Sequence, residues 1–317
     1  MNIETTPLDQ GISAAAAEIT SAAKDTALGF FRGSVEIDIK VDESPVTIAD
    51  LQIEREARDI LARHFPSHSI LGEEYGAGDL TNDDVWIIDP IDGTRSFISG
   101  HPLFGFLLAY VNQGRSDLGV VSMPALNEEY VGQRGQGATL NGEPISVSKK
   151  TSLKEAILYI NEGEKLFEFE PEAHARLVVS GHTRRFGYDS YPHALLAAGH
   201  IDAVVDYDLK PFDYLPLVGL IEAAGGIITD WDGNTLNYAS DGRVVSAATP
   251  ELHAELLALL LPKTVLFPSL ITNADGPAFE ILNEAGDPSL PVNLTDCLDE
   301  LRRNSGETCA LKKVETK

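Results

Sequence analysis

The chain has 317 residues, 43% of them hydrophobic, and its 49 acidic against 24 basic residues give a formal net charge of -25. That length allows one large domain or two moderate ones, and the charge argues against nucleic acid and against anionic membrane surfaces as partners. No apolar run is long enough to span a membrane, the N-terminal MNIETTPLDQG lacks the basic start and apolar core of a signal peptide, and the two cysteines, Cys297 and Cys309, lack CxxC or metal-type spacing, so the expectation is a cytoplasmic chain with no disulfide framework.

Residues 12–31, ISAAAAEITSAAKDTALGFF, read as a long Ala-rich helix with Gly33 just past its end. EIDIKVDESPVT alternates and then breaks at Pro45, which reads as strand and turn. IADLQIEREARDILARHF is a second amphipathic helix, with Asp50 in its first turn and Glu54 and Arg58 paired at i,i+4. HSILGEE and VWIIDP are two short strands that each end in acid. FGFLLAYV, LGVVSMP and EEYVGQR read as consecutive antiparallel strands. The run GQRGQGATLNG, with Gly132, Gly135 and Gly137 close together, lacks dinucleotide-binding spacing and reads as a hairpin turn.

The second half alternates differently. AILYI, IDAVVDYD, GIITDW and RVVSAA read as strands. YPHALLAAG, PFDYLPLVGLIEAAGG and PELHAELLALLL read as helices, the middle one opened by Pro and closed by Gly despite Pro216. The expectation is therefore a mixed α/β domain over 1–262, with an antiparallel meander in the first half to about residue 150 and alternating units over 151–262. Residues 263–317, broken by several prolines, read as a tail with little core of its own; only LTDCLDELRR has helical spacing.

The stretch VWIIDPIDGTRS carries the chemistry. Val85 to Ile88 have the composition of a strand buried on both faces. Pro90 pushes Asp89 into extended geometry, so Asp89 stands at a strand's carboxyl end, where α/β folds bind ligands. Gly93 permits a tight turn and Thr94 can open a helix, whose N–H groups attract anions. Asp89 and Asp92 beside a phosphate would repel it and each other. A divalent cation such as magnesium, which takes carboxylate, water and phosphate oxygens, removes both conflicts. The alternative is that the two aspartates are turn formers and caps. GxSxG and Walker A patterns are absent, and the eight histidines fall without metal-site spacing.

GEE at 72–74, DPIDGT at 89–94, and KPFDYLP ahead of a helix ending in AAGG together resemble the inositol monophosphatase-like, magnesium-dependent phosphatases, over residues 10 to 261. The resemblance implies a layered α/β/α/β/α sandwich, a homodimer, a small phosphorylated metabolite as substrate, and two or three Mg2+ per site. It implies metal ligation by Glu73, Asp89, the Ile91 carbonyl, Asp92 and Asp213. Asp50 would lie beside the metals, Thr94 with Glu73 would orient the attacking water, and the Gly93 and Thr94 N–H groups would hold the phosphate. Asp206, seven residues before Asp213, would face the organic part of the substrate. Apart from the resemblance, Arg184 and Arg185 form a basic pair amid acid that reads either as a contact to substrate phosphate or as a partner of surface acids. Phe212 stands where the family often has Trp. DGTRSFISGHPLFG and LKPFDYLPL resemble the histidinol-phosphate phosphatase branch, which implies hydrolysis of L-histidinol phosphate in histidine biosynthesis. The alternatives are an inositol monophosphatase or related small-metabolite phosphatase, and, from another class, an inactive metal-binding scaffold.

Overall fold

A computed structural model of the protein describes residues 9–33, 37–39 and 45–261, together with the backbone of 271–273 and 276–278. The chain divides into two units, Met1–Pro262 and Lys263–Lys317. Of the second unit, an antiparallel pair is described, Ile271–Asn273 with Gly276–Ala278. LTDCLDELRR and both cysteines lie outside the described residues.

Apolar runs without polar interruption need cover on both faces of a sheet, and the first unit supplies it in layers. Helix α1 (Gln10–Phe30) is followed by a small antiparallel pair, β1 (Ile37–Ile39) and β2 (Pro45–Thr47), and by α2 (Ile48–His64). Pro45 thus begins a strand where the sequence suggested a turn. Next come β3 (Ser69–Gly72), β4 (Gly76–Ala77), β5 (Asp84–Asp92), the short α3 (Thr94–Ile98), β6 (Gly105–Asn112), β7 (Arg115–Met123), β8 (Glu128–Gln133), β9 (Gly137–Leu140) and β10 (Glu143–Ile145). These strands form one sheet in the order β10-β9-β8-β7-β6-β5-β3-β4. The three expected antiparallel strands are β6, β7 and β8, and the antiparallel run extends from β5 to β10, while β3 lies parallel to β5.

The second half alternates as β11 (Ile157–Asn161), α4 (Gly163–Phe169), α5 (Pro171–Leu177), β12 (Thr183–Gly187), α6 (Tyr191–Ala197), β13 (Ala203–Asp206), α7 (Pro211–Ala223), β14 (Ile227–Asp230), β15 (Val244–Ala247) and α8 (Pro250–Leu260). Its sheet runs β12-β11-β13-β15-β14, with β11 parallel to both β12 and β13. Three buried clusters define the layers. Trp86, Ile88, Phe106 and Leu108 face α1 and α2. Val85, Ile87, Leu107 and Ala109 face the other way, toward α6, α7 and Val204 and Val244 of the second sheet. Ala203, Val205 and Val245 then face α4, α5 and α8. The order is the expected α/β/α/β/α sandwich.

Helix α7, which carries Asp213, is seated on β7 and β8 by glycines. A Cβ added to Gly119 would stand 2.0 Å from the Pro216 carbonyl oxygen, and one added to Gly132 would stand 2.5 Å from that of Gly219. Gly132, read from sequence with the hairpin glycines, therefore serves helix packing. Gly135 and Gly137, with positive φ, make the turn.

Candidate active site

The carboxyl ends of strands from both sheets meet the start of α7. The β5–β6 register shifts between Asp89 and Asp92, so β5 runs three residues beyond Asp89 with an irregularity that turns Asp89 and Asp92 toward one place. Asp213 comes to them from the first turn of α7, fixed by the Lys210 N–H, which donates to its Oδ2 at 2.6 Å. One carboxylate oxygen from each of Asp89, Asp92 and Asp213 lies within 4.8 Å of the others. Two unit charges at that separation repel by about 3–4 kcal/mol at an effective dielectric constant of about 20.

Burial and this crowding together raise the proton affinity of all three acids. Burial first, then Glu73, Asp92 and Asp213, pushes the Asp89 carboxyl well above the usual carboxylate range. Asp213 is raised by burial and by Asp92. Asp92 is raised to about 6 by burial, against the pull of the Ser190 N–H, which donates to its Oδ2 at 2.7 Å. Asp89 Oδ1 is buried and has no hydrogen-bond partner among the described residues. Three converging carboxylates, one of which has a buried oxygen without a partner, fit a divalent cation such as Mg2+. They do not fit a self-sufficient set of caps and turn formers, because an unpaired buried acceptor costs free energy that a cap would recover.

Glu73 follows β3, and its N–H donates to the Ile88 carbonyl at 3.1 Å, which draws it beside β5; its charge is felt at Asp89, Asp92, Asp213 and Asp50. The turn it sits on is clamped by Glu54, which is 0% exposed. Glu54 accepts from the Glu74 N–H at 2.7 Å, the Tyr75 N–H at 3.2 Å and the Arg58 guanidinium at 2.8 Å. The i,i+4 pair expected on α2 is thus present and holds the GEE turn. Gly72 is required beneath it, since a Cβ there would stand 2.0 Å from Glu54 Oε1.

Asp50 is the third residue of α2 and closes a capping box with Thr47. Its Oδ2 accepts from the Thr47 N–H at 2.9 Å and hydroxyl at 2.5 Å, and burial raises its pKa despite those bonds. Its Oδ1 faces the Thr94 hydroxyl at 3.3 Å, which also lies 3.0 Å from the Ile91 carbonyl oxygen. One hydroxyl proton serves one acceptor at a time, so Thr94 is poised between Asp50 and Ile91. Gly93, at φ 80°, caps α3 in the left-handed region that glycine adopts freely. The first N–H groups of α3 have no partner within the helix.

Not every expected residue joins this group as an open ligand. Asp206, at the end of β13, is 1% exposed. Its Oδ2 accepts from Asn161 Nδ2 at 2.6 Å and lies 3.0 Å from His193 Nε2, while its Oδ1 accepts from the Tyr207 N–H at 2.8 Å. His193 is held in turn by Ser246 at 3.0 Å. Both oxygens of the carboxylate expected to meet the substrate are therefore occupied by protein donors. Arg184 and Arg185 are exposed on β12, an edge strand. The Arg184 guanidinium donates to the Ser180 and Gly181 carbonyls, toward the strand's start and away from its acidic end.

A carboxylate that sequence reasoning passed over stands at that end. Asp189, in left-handed backbone at φ 60°, follows β12 and places its Oδ2 where a Cβ on Gly93 would be only 2.6 Å away. Ser96 donates to the same oxygen at 3.1 Å. Burial, then Asp92, raises its pKa well above the usual range. The helix-start signal Ser190-Tyr191-Pro192 was available in the sequence, but nothing in it places Asp189 against Gly93, almost a hundred residues earlier.

The inositol monophosphatase family model matches residues 7–264. The chain is 38% identical over 267 residues to the chloroplastic bifunctional phosphatase IMPL2 of Arabidopsis thaliana, covering 81% of this chain and 77% of that one. It is 35% identical over 249 residues to a histidinol-phosphatase of Chlorobaculum parvum, covering 77% of this chain and 95% of that one. Among solved structures, an inositol monophosphatase from Zymomonas mobilis matches with a TM-score of 0.70 at 36% identity, over 78% of this chain and 96% of that one.

Proposed function

The chain belongs to the inositol monophosphatase family of phosphatases, and on that footing we propose that it is a Mg2+-dependent phosphate monoester hydrolase whose substrate is L-histidinol phosphate. The observation that carries the chemistry is the convergence of Asp89, Asp92 and Asp213, with one buried oxygen of Asp89 left without a hydrogen-bond partner among the described residues. The substrate rests on the similarity to a histidinol-phosphatase along 95% of that protein's length.

In this reading Glu73, Asp89, the Ile91 carbonyl, Asp92 and Asp213 hold Mg2+. When bound, the cation lowers the pKa of water and offsets the charge that develops on the leaving alkoxide. The chain's own groups do the positioning. The Gly93 and Thr94 N–H groups receive the phosphate oxygens at the start of α3. With the Thr94 proton directed to Asp50, 3.3 Å away, a lone pair of the Thr94 oxygen is free to accept a hydrogen bond from the attacking water. Glu73 holds the water from its other side. Burial of these groups strengthens each of their interactions with the substrate.

The test is phosphate release from L-histidinol phosphate, inositol 1-phosphate and adenosine bisphosphate, each with Mg2+ and with chelator. Fastest turnover of histidinol phosphate, lost on chelation, is the expected result; no magnesium-dependent release from any of the three overturns the enzyme reading. A second reading, hydrolysis of inositol phosphate, is favoured by the similarity to the Zymomonas mobilis enzyme, and a higher specificity constant on inositol 1-phosphate would put it first.

A further inference from the structure

We propose that a cavity at the amino ends of β11 and β12 is a second ligand site, which takes a small molecule carrying two or more anionic groups. The cavity encloses about 620 Å3, a volume usual for small-molecule sites. Lys149, Lys150, His182 and His200 line it, together with the hydroxyl-bearing Thr151 and Thr183. These residues come from three separate parts of the chain: the segment that leads into β11, the start of β12, and the turn between α6 and β13. Ile157 begins β11, Thr183 begins β12 and Asp202 immediately precedes β13, and the three strands are parallel. The cavity therefore lies at the opposite end of these strands from Asn161 and Asp206, and it is not part of the acidic cleft described above.

Charge sets the cavity apart. The chain has a net charge of -25, and seven of its lysines precede residue 263; three of those seven, Lys149, Lys150 and Lys154, fall within six residues. Among the described residues, the side chains of Lys149, His182 and His200 have no hydrogen bond or ion pair. Lys150 meets Glu155 at 3.5 Å in an exposed pair, a kind worth little in water. The buried acid of the lining, Asp202, is already satisfied, since it accepts from the Ser148 hydroxyl and, at 2.7 Å, from the Ile157 N–H. Asp202 thus pins the loop and leaves the lysines available. The walls are fixed by bonds within the protein. The Lys150 carbonyl accepts from the Thr249 hydroxyl at 2.7 Å, and the Val147 N–H donates to the Ala224 carbonyl at 3.1 Å. Gly199, at φ 74°, lets the end of α6 close on this loop, because a Cβ there would stand 2.7 Å from the Ser146 carbonyl oxygen. A pre-organised pocket with unpaired cations binds an anion without first breaking salt bridges or ordering a loop. One anionic group cannot engage donors from three segments at once, whereas a ligand with two or more can.

The experiment titrates the full chain, stripped of divalent metal on a chelating resin, with pyrophosphate and with citrate in a calorimeter at pH 7. Metal is removed because Mg2+ would bridge either anion to Asp89, Asp92 and Asp213, whereas those acids alone repel it. Both probes stay below about 5 mM, where they do not act as general stabilising salts. One equivalent is expected to bind with a Kd below about 1 mM, more weakly as NaCl is added. Lys149→Gln and His200→Gln should each weaken binding by about threefold to tenfold. Lys154→Gln removes the same charge from the same stretch but outside the lining, and should change binding by less than about twofold. Tighter binding of pyrophosphate supports the site and points to a phosphorylated ligand; tighter binding of citrate supports it and points to a polycarboxylate. Binding of neither probe overturns the proposal. Equal losses in Lys154→Gln and Lys149→Gln overturn it by showing a diffuse surface field, and binding untouched by Lys149→Gln and His200→Gln overturns it by placing the anion elsewhere.

Discussion

Magnesium should stabilise the fold as well as activate it, and the metal-free protein should lose stability as pH rises toward neutrality. The folded state raises Asp92 from 3.8 to about 6, and it raises Asp89 and Asp213 in the same direction. Between those values the folded chain holds a proton on Asp92 that the unfolded chain has released, so stability falls with increasing pH through that window, and Asp89 and Asp213 act in the same direction. For Asp92 alone the loss between pH 5 and pH 7.5 is about 1–2 kcal/mol. At about 2–4 °C per kcal/mol for a domain of this size, the chelated protein should melt at least a few degrees lower at pH 7.5 than at pH 5. Mg2+ takes the place of the protons. At a hundred times its Kd it adds about 3 kcal/mol, or about 5–10 °C at pH 7.5, and its effect shrinks as the pH drops below about 6. Asp89→Asn keeps the shape and removes one of the crowded charges. It should melt higher than the wild type in chelator, no longer respond to Mg2+, and release phosphate at least about a hundredfold more slowly. Differential scanning fluorimetry across pH 5–7.5 with and without Mg2+ reads all of this. Identical midpoints with Mg2+ and chelator at pH 7.5 would refute the charge-crowding argument.

Asp206→Asn should lower kcat/KM on cationic and neutral esters alike and destabilise the protein by about 1–3 kcal/mol, because it disturbs a bonded network of Asn161, His193 and Tyr207; a loss confined to the cationic ester would return Asp206 to the role of ligand. Gly72→Ala should cost about 2–4 kcal/mol in thermal or denaturant melts, since Glu54 must give up its bonds to Tyr75 and Arg58 to clear the new Cβ. An unchanged midpoint would mean that the clamp is dispensable. A chain ending at Leu261 should fold with the same melting temperature and catalytic rate; insoluble or inactive protein would place 263–317 among the parts the first unit needs.

The central strands were legible because they are covered twice, while the order of the layers came from the family resemblance. Val85–Ile88 and Phe106–Ala109 must be apolar throughout when α1 and α2 lie on one face and α6 and α7 on the other, and a continuous apolar run is what the sequence displays. Residues 163–187 were not legible for the opposite reason. β12, TRRFG, is an edge strand exposed at four of its five positions, so it shows neither alternation nor an apolar run. Helices α4 and α5 are seven residues each, too short for a periodic stripe to stand out. The seat of α7 was hidden because Gly119 and Gly132 matter only through backbone that arrives about a hundred residues later.

For the site, residue type and spacing pointed to Asp89 and Asp92, and the family resemblance supplied Glu73, Ile91, Asp213 and Asp206; which of the acids the protein itself satisfies was not legible, for a physical reason. A carboxylate is available to a ligand only if the protein has not already satisfied it, and the groups that satisfy it come from elsewhere in the chain. Glu54, Asp206 and Asp189 look alike as letters. Glu54 is filled by two backbone N–H groups and an arginine, which makes it a clamp. Asp206 is filled by an amide, a histidine and a backbone N–H, which makes it part of the cleft wall. Asp189 has one hydroxyl, and Asp89 has an oxygen with nothing. Burying a charge without a partner is costly, and a cation bound at Asp89 would offset that cost, so the balance of satisfied and unsatisfied acids, more than their number, distinguishes a candidate ligand from the scaffold.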